Sequence, residues 1–330
     1  MTSPAATAGG GGPARRTKTL ALYVLAGLCL AGFWLFQHVR GTRARAAEEI
    51  MSRAETVIRD CRLERGVPID PETDPDRTGL IGVVSSPITT SLGSLEAKRT
   101  TTDPAFAGLL VRLLDKAGAR PGDVVAVGAS SSFPALILAV LAACRASGIE
   151  PLVISSLGSS SWGANIPEFN WWDMEDCLDA SGVLAVHPLA YSIGGDQDRG
   201  RDMGPEGRAL ILGEAARRGI SLLEEPGLEA TVAARMRLYE EKANGRPIKA
   251  FINIGGSWVN LGVDSRVLNV GPGLHLPTGP SAITSLPPPG KSGMIFAMAR
   301  RGIPVIHLLF IRGLCRKYGL PWDPPGKRIP

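Results

Sequence analysis

Histidine is scarce in this chain, with four in 330 residues, and His38, His187, His275 and His307 stand at no metal-ligand spacing. The five cysteines (Cys29, Cys61, Cys144, Cys177, Cys315) include no C-x-x-C pair. That excludes a zinc ribbon and a thioredoxin-type centre, and the wide spacing shows no disulfide framework. G-x-G-x-x-G is absent, which removes the usual dinucleotide fingerprint. Acidic residues are missing from residues 1–46, where six of the 36 Lys and Arg fall; the remainder therefore carries 30 cations against 31 acids. The net charge of +5 is thus local to the N-terminus. Without a basic folded part, a nucleic-acid partner is not expected.

Long apolar runs are also missing, with one exception. Leu20 to Val39 (LALYVLAGLCLAGFWLFQHV) contains no Asp, Glu, Lys or Arg. About 20 such residues at 1.5 Å each match the hydrocarbon thickness of a bilayer. Arg15, Arg16 and Lys18 precede the run, Arg40, Arg43 and Arg45 follow it, and Tyr23, Phe33, Trp34 and Phe36 supply interfacial aromatics. The apolar core exceeds that of a signal peptide, and Phe36-Gln37-His38-Val39-Arg40 offers no small-x-small cleavage site. The expectation is an uncleaved single-pass anchor in the bilayer. Its short basic tail stays in the cytoplasm, and the large domain lies on the outer, extracytoplasmic face of the cell membrane.

Four segments are expected. Residues 1–19 form a disordered basic tail, 20–39 the transmembrane anchor, 40–77 a stalk helix and Pro/Asp linker, and 78–330 a soluble domain. In that domain short apolar runs alternate with helical patterns. Strands are predicted at 80–85, 123–128, 151–155, 183–187, 248–254 and 304–310. Helices are predicted at 104–117, 134–146, 205–218, 227–243 and 292–301. Apolar runs without alternation, interleaved with helices, predict a doubly wound, mostly parallel α/β domain.

In such a sheet ligands bind beyond the carboxyl ends of the strands, and those ends are rich in hydroxyls and glycine. Four loops stand out: 85–102, 128–134, 155–165 and 255–260. The candidate ligand-binding residues are Lys98, Arg99, Ser130, Ser131, Ser132, Ser159, Ser160, Gly255, Gly256 and Ser257. Gly/Ser turns leading into helices expose backbone N–H groups at the positive end of the helix dipole. Lys98 and Arg99 are expected to add charge against a carboxylate. Caps and turns are the better explanation of any one of these loops alone; four on one edge favour a shared site.

Other motifs fail on spacing. Gly290-Lys291-Ser292 follows Pro287-Pro288-Pro289 rather than a strand, and Ser285 stands where a phosphate loop needs its first glycine. Gly158 to Gly163 is one residue too long for a G-x-S-x-G elbow. Asp196, Asp198 and Asp202 alternate like a calcium loop but lack its terminal glutamate and lie among arginines. His187 is a candidate base for a loop serine. Trp171-Trp172 reads as core, lid or contact surface. No catalytic residue, cofactor or metal is assigned.

Several segments together resemble the poly-gamma-glutamate system protein family: TGLIGVVSSPITTSLGSLEAKRTTTDPAFA (78–107), GDVVAVGASSSFPAL (122–136), SSLGSSSWGANIPEFNWWDME (155–175) and INIGGSWVNLG (252–262). The resemblance spans the anchor and nearly the whole soluble domain. It implies an accessory protein of capsule poly-γ-glutamate synthesis and export, working beside an ATP-dependent ligase and its membrane partners. It carries over no catalytic residues. The expected partners are the bilayer, the synthase and export proteins, and the polyglutamate chain itself. The alternative is an envelope hydrolase or transferase acting on γ-glutamyl amides through a loop serine.

Overall fold

A computed structural model describes the backbone of residues 13–324. Residues 1–12 of the expected tail lie outside the described residues, as do most side chains of the expected anchor. Among the described residues no helix is long and apolar enough to cross a membrane. The chain divides into two units, residues 1–42 and 43–330. Helix α1 (Pro13–Glu64) runs through the boundary between them.

From residue 43 onward α1 belongs to the folded domain and is not the expected stalk. Ala47, Met51, Ala54 and Ile58 recur at helical spacing and are buried in the main core. Arg43 pairs with Asp115 at 3.0 Å, and the buried Arg62 donates to the carbonyls of Gly79, Ile81 and Pro68. The linker after α1 is folded too. Asp74 is buried and accepts from the backbone N–H groups of Thr78 and Gly79.

The centre of the domain is a six-stranded sheet in the order β5-β2-β1-β6-β8-β7. Its strands are β1 (Val124–Ser130), β2 (Glu150–Ser156), β5 (Ala190–Ser192), β6 (Ile248–Ile254), β7 (Gly273–His275) and β8 (Val305–Leu308). All pairings are parallel except β7 with β8. Two further strands, β3 (Asn165–Ile166) and β4 (Phe169–Asn170), make a small hairpin.

Both faces of the sheet are apolar because both are covered. Val125, Val127 and Ala129 of β1, with Ala250, Ile252 and Ile254 of β6, face the core formed with α1, α3 (Ala105–Lys116) and α4 (Pro134–Ser147). The alternate residues Val124, Ala126 and Phe251 face α7 (Leu228–Ala243) and α9 (Met294–Arg300). A strand apolar on both sides reads as a continuous run, as the sequence does here.

Two strand expectations change, and the tryptophan pair resolves to core among the alternatives left open. Leu80 to Ser85 is not a strand, because its backbone is taken by the loop at 162–165: Gly82 N–H donates to the Trp162 carbonyl and Trp162 N–H to that of Val83. Residues 183–187 are not a strand either; the edge position goes to β5, three residues later. Trp171 and Trp172 form no lid. They open α5 (Trp171–Ser181), capped by Asn170, and both are buried.

The cysteines do pair. A disulfide joins Cys61 of α1 to Cys177 of α5, while Cys144 and Cys315 are buried thiols. Sequence spacing gave no sign of it, since 116 residues separate the partners.

Candidate functional site

The chain leaves β1 through α4 to β2 and then β5 on one side, and returns to place β6 and β8 on the other. The connections therefore diverge between β1 and β6, and a crevice opens outside their carboxyl ends. A cleft of about 600 Å³ lies at this edge. Every parallel strand contributes to it. Ser130, Ser132 and Phe133 follow β1; Ser156, Gly158 and Ser160 come from β2 and its loop; Gly195, Asp196 and Asp202 follow β5. Gly256, Ser257 and Trp258 follow β6, and Leu309, Phe310 and Ile311 follow β8. The segment from Thr90 to Lys98 closes the remaining wall.

Lys98 is the unusual member. It sits on the short helix α2 (Leu95–Thr101), whose start is capped by Ser94, and only 3% of it is exposed. Its Nζ donates to the Ser132 carbonyl and to Ser160 Oγ at 3.0 Å, and lies 3.6 Å from the Phe133 ring centroid. Among the described residues no carboxylate pairs with it. Burial disfavours the charged form and pushes its pKa down to about 7.

The surrounding loops are bound to one another. Ser132 Oγ accepts from Ser160 N–H at 2.9 Å, and Ser131 Oγ donates to the Leu157 carbonyl at 2.7 Å. Ser159 Oγ donates to the Ser131 carbonyl at 3.3 Å. Close approach requires glycine at two points. A Cβ on Gly93 would lie 2.6 Å from the Ser161 carbonyl oxygen and 3.1 Å from Ser160 Oγ. Gly255 turns the chain at φ +77° against Ser130 and Phe133. Phe310 takes φ +54° where β8 enters α10 (Ile311–Tyr318), an unfavourable region for a bulky residue.

Of the ten candidate residues, Lys98, Ser130, Ser132, Ser160, Gly256 and Ser257 line the cleft. Arg99 does not. One residue further along α2 turns its side chain about 100° away, where it pairs bidentately with Asp323 at 2.8 and 2.6 Å. Ser131 and Ser159 are fully buried and serve the loop contacts just described, and Gly255 supports the turn beneath.

His187 is 79% exposed, lies 3.7 Å from Asp179, and does not line the cleft. It is therefore no base for these serines. Gly290 and Lys291 lie in a 3-10 turn (Pro289–Lys291) that Ser292 ends, its hydroxyl donating to the Pro287 and Pro288 carbonyls, so the segment makes no phosphate loop. Asp198 is buried against Arg235 at 2.6 Å, and among the described residues no cluster of His, Cys, Asp or Glu is fit for a metal ion. Phe133 and Phe310 were not among the sequence candidates, since an aromatic near a strand end carries no distinguishing pattern.

The charge of the cleft also differs from expectation. Arg99 is turned away, Lys98 is buried, and Asp196 and Asp202 stand exposed on the lip. The walls offer hydroxyls and apolar surface more than positive charge. Comparison with family models, curated proteins and solved structures finds no match for this chain.

Proposed function

We propose that this protein is a membrane-anchored accessory component of poly-γ-glutamate synthesis or export whose cleft holds an extended stretch of the γ-glutamyl chain. The observation that carries this reading is the convergence of all five parallel strand ends on one open cleft lined by Ser130, Ser132, Ser160 and Ser257. The pathway comes from the sequence resemblance. The charge distribution decides the mode of binding. With Asp196 and Asp202 on the lip and one buried lysine, the cleft suits the amides and methylenes of the chain. Its carboxylates stay in solvent at the mouth, and Phe133, Trp258 and Leu261 give the apolar contact.

Two features support placement at the outer face of a membrane. Tyr23, Leu25, Leu30 and Val39 are large apolar side chains exposed on α1, a cost that lipid would remove. The Cys61–Cys177 disulfide belongs to an oxidising compartment. For the alternative of a hydrolase or transferase using a loop serine, His187 is not the base, because it lies outside the cleft.

Calorimetric titration of the full chain in detergent with γ-glutamyl oligomers tests the binding. Saturable binding that weakens only slightly with salt is expected, because hydrogen bonds and apolar contact carry it. Absence of binding, or affinity that collapses with salt, overturns it. Alkaline carbonate extraction and protease treatment of intact spheroplasts test the location. Release from the membrane, or full protection before lysis, refutes it.

A further inference from the structure

We propose that Ser160 and Lys98 form a serine–lysine pair that cleaves or transfers an amide bond of an acyl chain lying in the cleft. The pair stands on its own geometry; only the identity of the chain rests on the polyglutamate reading.

Among the described residues Ser160 Oγ is the hydroxyl within hydrogen-bond reach of Lys98 Nζ, at 3.0 Å. The neighbouring hydroxyls are already engaged. Ser132 Oγ accepts from Ser160 N–H, and Ser130 Oγ accepts from Ser132 N–H. Ser160 Oγ has Nζ as its one partner among the described bonds, and the residue lines the cleft. The amine is fixed from two other sides by the Ser132 carbonyl and the Phe133 ring.

A lysine held this way with no carboxylate partner can shed its proton near neutral pH, which a base requires. Burial, with the pKa pushed down to about 7, has that effect. Gly93 keeps the hydroxyl open to the cleft, since a Cβ there would lie 3.1 Å from Ser160 Oγ and 3.4 Å from the Lys98 stem.

The chemistry balances with water or an amine as co-reactant. Neutral Lys98 takes the Ser160 proton as Oγ bonds to the amide carbonyl carbon. The C–N bond then breaks, and the ammonium returns that proton to the departing amine, leaving an acyl ester on Ser160. Water, or an acceptor amine, attacks the ester and gives its proton to Lys98. The C–Oγ bond breaks and Ser160 recovers its proton, so the net change is hydrolysis or acyl transfer.

The bland reading is that Lys98 only clasps the loops at 132 and 160. A fluorophosphonate probe, read by intact mass and peptide mapping on the full chain in detergent, separates the two. A single adduct on Ser160 is expected, forming faster as pH rises with a midpoint near that of Lys98. Ser160→Ala should abolish it, and Lys98→Met should slow it by about a hundredfold or more, the scale of a lost general base. Thermal unfolding of Lys98→Met establishes that the variant is folded. Ser160→Cys gives a second reading: its alkylation by iodoacetamide should slow when Lys98→Met is added. No adduct on Ser160 in the folded native chain overturns the proposal, as does labelling that Lys98→Met leaves unchanged. Oligomer titration fails or succeeds independently of these outcomes, so the two proposals fall separately.

Discussion

Cys61 of α1 and Cys177 of α5 are joined by a disulfide whose Cα atoms are 6.2 Å apart, across 116 residues of sequence. The bond fastens the part of α1 that belongs to the folded domain to α5. Closing so long a loop restricts the unfolded chain, and its removal should cost about 3–5 kcal/mol. Non-reducing peptide maps should show this pair linked. Cys144 and Cys315, whose thiols burial pushes up to about 12 and about 11, should alkylate only on unfolding. Cys61→Ser should lower the melting temperature. Equal melting of the variant and the native chain would remove the disulfide from the stability argument.

Glu175 gives a pH prediction. It is buried on α5 and accepts from Tyr191 Oη at 2.6 Å, and burial pushes its pKa up to about 8. Between the ordinary carboxylate range and about pH 8 the folded state holds the proton that the unfolded chain has lost. Stability should therefore fall as pH rises through that window. Glu175→Gln should flatten the fall, as read from urea midpoints taken across the same pH range.

Gly207 bears on the cleft from a distance. It lies in α6 (Pro205–Arg218), and a Cβ there would run into the Pro87 carbonyl. That carbonyl is backbone and cannot turn away as a side chain would. Gly207→Ala should destabilise by about 1–3 kcal/mol, the range for overpacking. It should also loosen the 85–92 segment, seen as faster amide exchange there.

The lip of the cleft is held by a buried ion pair. Arg235 of α7 donates to Ser192 Oγ at 2.8 Å and to Asp198 at 2.6 Å, and Asp198 sits in a loop whose Gly194, Gly195, Gln197, Asp198 and Gly200 all have positive φ. Asp198→Ala strands the guanidinium without its counter-charge and should cost about 3–5 kcal/mol. Arg235→Met in the same chain should restore part of this, because the second change removes the stranded charge. Chemical denaturation of the single and double variants checks it.

The layered α/β architecture was legible because its cause is local. β1 and β6 are apolar at nearly every buried position, with Asn253 and the terminal Ser130 the buried polar exceptions, so burial on both faces leaves an almost continuous run in the sequence. Helices α3, α4, α6 and α7 were legible from their periodicity and their Pro and Gly ends. Leu80 to Ser85 misled for the same reason. Leu80 and Ile81 are nearly inaccessible, but Val83 and Val84 are exposed; the backbone bonds go to a distant loop, and composition does not report hydrogen-bond partners.

The sequence by itself determined the sheet and its helical cover, the hydroxyl-rich carboxyl edge, and the apolar segment 20–39 on which the anchor proposal stands. Tertiary structure alone decided which residues of that edge meet. Lys98 and Arg99 are adjacent and similar in charge, yet one is sealed against Ser160 and the other binds Asp323 outside the cleft. Cys61 and Cys177, like Asp198 and Arg235, find each other only once the layers have packed. Strand and helix formation follow from spacing along the chain, whereas buried charge, disulfides and clefts depend on contacts between segments far apart in sequence, which no local pattern encodes.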